Sequence, residues 1–175
     1  MTVLKKLRPA FRAESVYGID WQDAYDHGKR GILFDIDNTL VPHDAPADER
    51  SRAFLSALSS KGFRVMVLSN NKEPRTASFA KAAGVPYLFD VHKPSPKGYR
   101  KVMTLLGLSE KECIAVGDQL FTDILGANLA GIESVLVDPL APETDRWWIK
   151  LKRVAEIPIK HLHKMQRTIK ITKDF

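Results

Sequence analysis

Five short apolar runs, each closing on an acid or an amide, constrain this chain more than anything else in it. They occupy residues 31–37, 64–70, 87–90, 113–118 and 133–138, and end on Asp37, Asn70, Asp90, Asp118 and Asp138. Most are continuous and do not alternate with polar residues, the pattern of strands covered on both faces. Helical spacing fills the intervals, at 46–60, 73–83, 96–106 and 122–130, and Gly62, Gly84, Gly107 and Gly131 sit where such helices would stop. Alternation of this kind predicts an α/β fold with a parallel sheet and right-handed crossovers. In such sheets ligands bind beyond the carboxyl ends of the strands, which is where the polar residues gather.

The 175 residues suffice for one domain, with a core at about 31–138, a helical prelude over 1–28 and a basic helical tail over 144–175. In the prelude Val3, Leu4, Leu7 and Phe11 share a helical face, Asp20 opens a second helix, and Trp21 and Tyr25 are expected to pack on the body. The single cysteine, Cys113, permits no internal disulfide and is expected to be buried. No run approaches the roughly 20 apolar residues that span a bilayer. Lys5, Lys6 and Arg8 are followed by no apolar segment of the signal-peptide kind. The expected location is the cytoplasm.

Net charge is +6, unevenly placed: residues 146–175 hold nine Lys and Arg against two acids, leaving the preceding 145 residues at −1. A basic tail implies either an anionic partner or a solvated face. A helix is predicted over 144–156, capped by Thr144 or Asp145, with Trp147, Leu151 and Val154 on one side. Its Trp147 and Trp148 could pack on the body or sit at lipid headgroup level with the flanking cations. His161 and His163 lack a third ligand nearby and read as solvated.

Four polar groups follow successive strand candidates: Asp35 with Asp37; Ser69-Asn70-Asn71; Lys93-Pro94-Ser95-Pro96-Lys97; and Gly117-Asp118 through Asp123. A buried strand ending on two carboxylates needs a counter-charge or hydrogen bonds. On one sheet edge these groups provide what phosphoryl transfer through an acyl phosphate requires. A carboxylate can attack phosphorus. Mg²⁺, held by hard oxygens such as those of Asp35 and Asp118, offsets the repulsion between two anions. A lysine neutralises phosphoryl oxygens, and the Ser69 hydroxyl holds one of them. A second acid two residues on protonates the leaving oxygen and then activates water.

The order and spacing of these groups resemble the haloacid dehalogenase (HAD) superfamily. Asp35-Ile36-Asp37-Asn38-Thr39-Leu40 resembles its first motif, Ser69 its second, Lys93 its third, and Gly117-Asp118 through Asp123 its fourth. The resemblance implies a Rossmann-like three-layer core. It also implies Asp35 as nucleophile, Asp37 as general acid/base, and Mg²⁺ held by Asp35, Asp118 and the backbone carbonyl of Asp37, with Asp123 in support. Lys93 takes the third-motif place because Pro94 follows it directly, with Lys97 as the second candidate. Asn38, Thr39, Asn70 and Lys97 are the candidate substrate-binding residues.

Asp35 and Ser69 lie 34 positions apart and Ser69 and Lys93 24 apart, too few for a cap domain. An open site cannot seal a small metabolite under a large lid and suits a phosphate carried on something large. Asp35–Val41, Ser69–Asn71, Gly117–Ile124 and the start Leu4–Pro9 are similar to the YqeG-type branch of subfamily IIIA, related to phosphatidylglycerophosphate phosphatases. That similarity implies a phosphorylated glycerolipid as substrate and peripheral contact at the inner membrane face. Competing readings are a phosphatase of a soluble sugar phosphate, nucleotide or phosphoprotein, a receiver-type signalling module, and a non-catalytic protein bound to RNA or ribosomes. No recognised RNA motif supports the last, so nucleic acid is not the expected partner.

Overall fold

A computed structural model describes residues 3–162, of which residues 3 and 160–162 are described by their backbone alone. Six strands form one all-parallel sheet: β1 (Phe11–Ala13), β2 (Gly31–Phe34), β3 (Arg64–Leu68), β4 (Tyr87–Leu88), β5 (Cys113–Gly117) and β6 (Glu133–Val137), in the order β1-β6-β5-β2-β3-β4. β2 lies inside the sheet, with Phe34 in register with Val67 on β3 and Val116 on β5. That register brings the residues after all three strands to one edge.

The sheet is covered on both faces. Ile32, Phe34, Val65, Val67, Ile114 and Val116 point into one cluster, closed by α2 (Trp21–Asp26), α3 (Glu49–Ser60) and α4 (Glu73–Ala83). Leu33, Met66, Leu68, Cys113 and Ala115 point into the other, closed by α5 (Pro96–Leu106) and α6 (Leu125–Ala130). Adjacent residues of β2 therefore enter opposite cores, which is why the run is apolar throughout. The result is a three-layer α/β fold, with no inserted cap domain among the described residues. Cys113 is buried, and Trp21 packs edge-on against Phe34 and Phe63.

α4 and α5 span the predicted ranges, and Gly84 and Gly107 end them in the left-handed conformation that glycine adopts without strain. α3 begins at Glu49, not at residue 46. Asp48 accepts from Ser51 N at 2.7 Å while Ser51 Oγ accepts from Asp48 N at 3.1 Å, a capping box that sets the start. The segment leading into α6 starts earlier than predicted, as a widened helical turn over Leu120–Ile124.

Two expectations for the chain ends are corrected. The N-terminal helix α1 (Val3–Lys6) stops before Pro9, and Phe11 lies in β1 and not on its face. The exposed edge of β6 needs hydrogen-bond partners; β1 supplies them, beginning with Ala10 N donating to Ser134 O at 2.9 Å. At the other end α7 (Trp147–Leu162) passes through Pro158 beyond the predicted end. Neither Thr144 nor Asp145 caps it: Thr144 Oγ1 donates to Ala141 O at 2.7 Å, and Asp145 is buried against Asn38 and Arg153. Trp147, Leu151 and Val154 share a side as predicted, but that side faces solvent. His163 and the side chain of His161 lie outside the described residues.

Candidate active site

The chain leaves β2 at Phe34, and Asp35 N donates to Val116 O at 2.9 Å, extending the ladder by one residue. It then folds back on itself. Ile36 O accepts from the amides of Thr39, Leu40 and Val41, and Asn38 takes a φ of +61°, which a short amide side chain tolerates. The turn leaves Asp35 and Asp37 at the sheet edge. Asp37 is braced on all sides: Oδ1 accepts from Arg75 Nη2 at 2.8 Å and from Asp44 N at 2.9 Å, and Oδ2 accepts from Asn71 Nδ2.

Lys93 joins the remaining pieces. Its buried ammonium donates to Asp35 Oδ1 at 2.5 Å and to Asp123 Oδ1 at 2.7 Å. Asn70 holds the lysine's backbone in place, accepting from Lys93 N at 2.6 Å and donating to Lys93 O at 3.1 Å. Asp123 is positioned by Gln119 N, 3.1 Å from Oδ2, and packs against Gly117. A Cβ at residue 117 would lie 2.4 Å from the Asp123 Cβ and Cγ, so only glycine permits this approach. Ser69 Oγ, buried at the end of β3, accepts from Asn71 N at 3.1 Å.

Asp118 is fully buried; Oδ1 accepts from Thr39 Oγ1 at 3.3 Å and Oδ2 from Arg153 Nη2 at 2.5 Å. Carboxylate oxygens of Asp35, Asp118 and Asp123 lie within 4.8 Å of one another. Lys93 and Arg153, the latter shared with Asp145, do not balance the three carboxylates, and every donor of the cluster is a hard oxygen. Both features suit Mg²⁺. Without a cation, burial together with the neighbouring Asp123 raises Asp118 to about 7, against the opposing pull of Arg153. Burial likewise lifts Asp35 well above the usual carboxylate range, with Lys93 opposing and the other acids adding to it. For Lys93 burial disfavours the charged form, but Asp123 and Asp35 outweigh it and hold the ammonium protonated. A second group, Asp37 with His43 and Asp44, is a poorer fit for a cation, since the Arg75 guanidinium already lies against both of its carboxylates and Asp44 is exposed.

A cavity of about 200 Å³ opens here. Asp35, Asp37, Ser69, Asn70, Lys93 and Asp123 line it, and α7 with the residue before it adds Arg146, Trp148, Ile149 and Lys152. Asp118 adjoins the cluster from behind without opening onto the cavity. Three candidate substrate-binding residues are not brought to it. The positive φ of Asn38 turns its amide inward, where Nδ2 donates to Asp145 Oδ1 at 2.7 Å and Oδ1 accepts from Ala141 N at 2.9 Å. Thr39 is occupied by Asp118, and Lys97 is exposed on the first turn of α5, outside the lining residues. Asn70 does line the cavity, with its amide spent on Lys93. Arg75, Asn71, Asp145 and Arg153 are site residues that sequence alone does not assign to the site, although Asp145 reads there as a helix cap. Asn71 lay inside a noted motif, whereas Arg75 and Arg153 carry no local signal, because their partners are 38 and 35 positions away.

The model of the haloacid dehalogenase-like hydrolase family matches residues 43–131. The probable phosphatase YqeG of Bacillus subtilis is 33% identical over 129 residues, 73% of this chain and 75% of that protein. The chain belongs to the haloacid dehalogenase-like hydrolases. It is an enzyme of the HAD phosphatase type. A chloroplastic phosphatidylglycerophosphate phosphatase 1 of Chlamydomonas reinhardtii is 27% identical over 85% of this chain, the match spanning 59% of that protein's length. In fold, the chain is similar to an uncharacterized protein of Corynebacterium glutamicum, with a TM-score of 0.55 and 19% identity over 85% of this chain and all of the other.

Proposed function

We propose that this HAD enzyme hydrolyses a phosphomonoester through an aspartyl-phosphate on Asp35, with Mg²⁺ as cofactor. One observation carries the reading: the Lys93 ammonium sits between Asp35 and Asp123, whose carboxylates cluster with that of Asp118, at the sheet edge where a cavity opens. Lys93 takes Oδ1 of Asp35, and the other oxygen attacks phosphorus as the bond to the leaving oxygen breaks. Asp37, two residues on and on the same cavity wall, gives that oxygen its proton. Asp37 then takes a proton from water, whose oxygen attacks phosphorus and breaks the bond to Asp35, releasing phosphate. Arg75 and Asn71 orient Asp37 for both transfers. Lys93 and the Ser69 hydroxyl hold phosphoryl oxygens. Asp35 and Asp118, with the Asp37 carbonyl and Asp123, would hold Mg²⁺, which supplies charge neutralisation at phosphorus.

The substrate class we favour is a phosphate displayed on a glycerolipid, phosphatidylglycerophosphate first. Its support is the absence of a cap in the described fold and the similarity to proteins named as phosphatases of that lipid. Turnover of phosphatidylglycerophosphate in mixed micelles, compared with a panel of soluble sugar phosphates, nucleotides and phosphoamino acids, tests it. The lipid should show the highest kcat/KM by at least about tenfold, some 1.4 kcal/mol of transition-state discrimination. A soluble ester in first place would remove the lipid and leave the chemistry.

A further inference from the structure

Helix α7 is amphipathic the wrong way round for a helix lying on a protein. The side against the body carries charge: Arg153 reaches Asp118 and Asp145, and the fully buried Glu156 accepts from Leu120 N at 2.7 Å. The opposite side is apolar and open to solvent, with Trp147 73% exposed, Leu151 64% and Val154 62%. At about 100° per residue, Trp147, Leu151, Val154 and Pro158 fall in one sector, with Lys150 on one border and Ala155 and Trp148 on the other; Lys152 lies beyond Trp148, on the cavity side. A soluble surface rarely presents so many large apolar side chains together unless something covers them.

We propose that this face of α7 docks the protein onto an anionic lipid bilayer. The inference rests on the phosphatase reading for its functional sense, since it names where the phosphorylated substrate comes from. An apolar stripe flanked by a lysine and headed by two tryptophans is the pattern of a helix lying in the headgroup plane. Arg146 precedes the stripe, and the residues from 146 onward carry the chain's whole excess of positive charge. A second copy of the chain is a poor occupant, because apposed α7 helices would bring together two segments of like positive charge. The same helix forms part of the cavity wall through Trp148, Ile149 and Lys152, so docking sets the mouth of the cavity beside the headgroups. A lipid phosphate then enters from the surface without its chains leaving the bilayer.

The full chain and its Leu151→Glu/Val154→Glu double variant are to be sedimented with vesicles of phosphatidylcholine alone and of phosphatidylcholine mixed with phosphatidylglycerol. Neither substituted residue touches the cavity. The unaltered chain should bind the anionic vesicles, and both the double variant and Lys150→Glu should bind at least about tenfold more weakly. Hydrolysis of soluble p-nitrophenyl phosphate by these variants should stay within about twofold, showing that the fold is kept. Equal binding by variant and parent, binding indifferent to lipid charge, or a parent dimer split by the double substitution would each overturn the proposal, as would capture of polyanionic RNA in preference to vesicles. Vesicle binding without hydrolysis of any phosphomonoester would instead reject the phosphatase reading and leave the docking face in place.

Discussion

At the scale of single residues, the site depends on a few close approaches. Lys93 touches both Asp35 and Asp123, so Asp35 presents one oxygen to the cavity while its charge is balanced through the other. Asp35→Asn removes the nucleophile with little change in shape; phosphatase activity should fall by at least about 10⁴-fold with the melting temperature kept, as a stopped phosphate-release assay and thermal denaturation would show. Gly117 is the second such point. In Gly117→Ala the new Cβ collides with Asp123, costing about 1–3 kcal/mol by overpacking and drawing Asp123 away from Lys93. Urea denaturation should register the loss of stability, and kcat should fall with it; an unchanged kcat would show that Asp123 is not needed where it stands. The Gly-Asp pair is visible in the sequence, but the reason for the glycine is a contact with Asp123, six positions on and inside a widened helical turn.

At the scale of elements, α7 acts as a clasp. Arg153 bridges Asp118 and Asp145, and Asp145 in turn holds Asn38, so the first motif, the fourth motif and the C-terminal helix share one network. Breaking a largely buried pair from one side leaves a carboxylate uncompensated. Arg153→Ala should therefore destabilise the metal-free protein by roughly 3 kcal/mol, and saturating Mg²⁺ should recover part of that by binding the freed acids. Urea midpoints measured with EDTA and with Mg²⁺ test both parts. Equal losses in the two conditions would mean that Arg153 and the cation act independently.

At the scale of the whole molecule, one sheet edge gathers more negative charge than the fold neutralises. Asp118, lifted to about 7 by burial and Asp123, and Asp35, also raised, both favour the protonated form in the folded state. The sign follows: a folded carboxyl with a raised pKa binds more protons than the unfolded chain, so its contribution is present at acid pH and lost as pH rises toward 7. Lys93, raised in the other sense by Asp123 and Asp35 despite its burial, would lose its contribution only above the ordinary lysine range, outside this window. Metal-free protein should accordingly melt at a lower temperature at about pH 8 than at about pH 5, and Mg²⁺ should narrow the difference. A melting temperature that rises with pH in EDTA would contradict the charge assignment. No described helix is long and apolar enough to cross a membrane.

What the amino-acid order determined by itself was local in origin. Short continuous apolar runs make covered strands whatever surrounds them, polar residues end those runs, and a parallel sheet then brings Asp35, Ser69 and Asp118 to one edge. Asp48 and Ser51 likewise settle the start of α3 between themselves. The tertiary structure settled what depended on groups left over elsewhere. Residues 11–13 became a strand because β6 had an unpaired edge. Asn38 and Thr39 turned to Asp145 and Asp118 because those buried acids needed donors. Helical spacing marked the two sides of α7 but not their orientation. Arg153 and Glu156 face inward because only the assembled core offers them a carboxylate cluster and an open backbone amide, and that leaves the apolar side turned out.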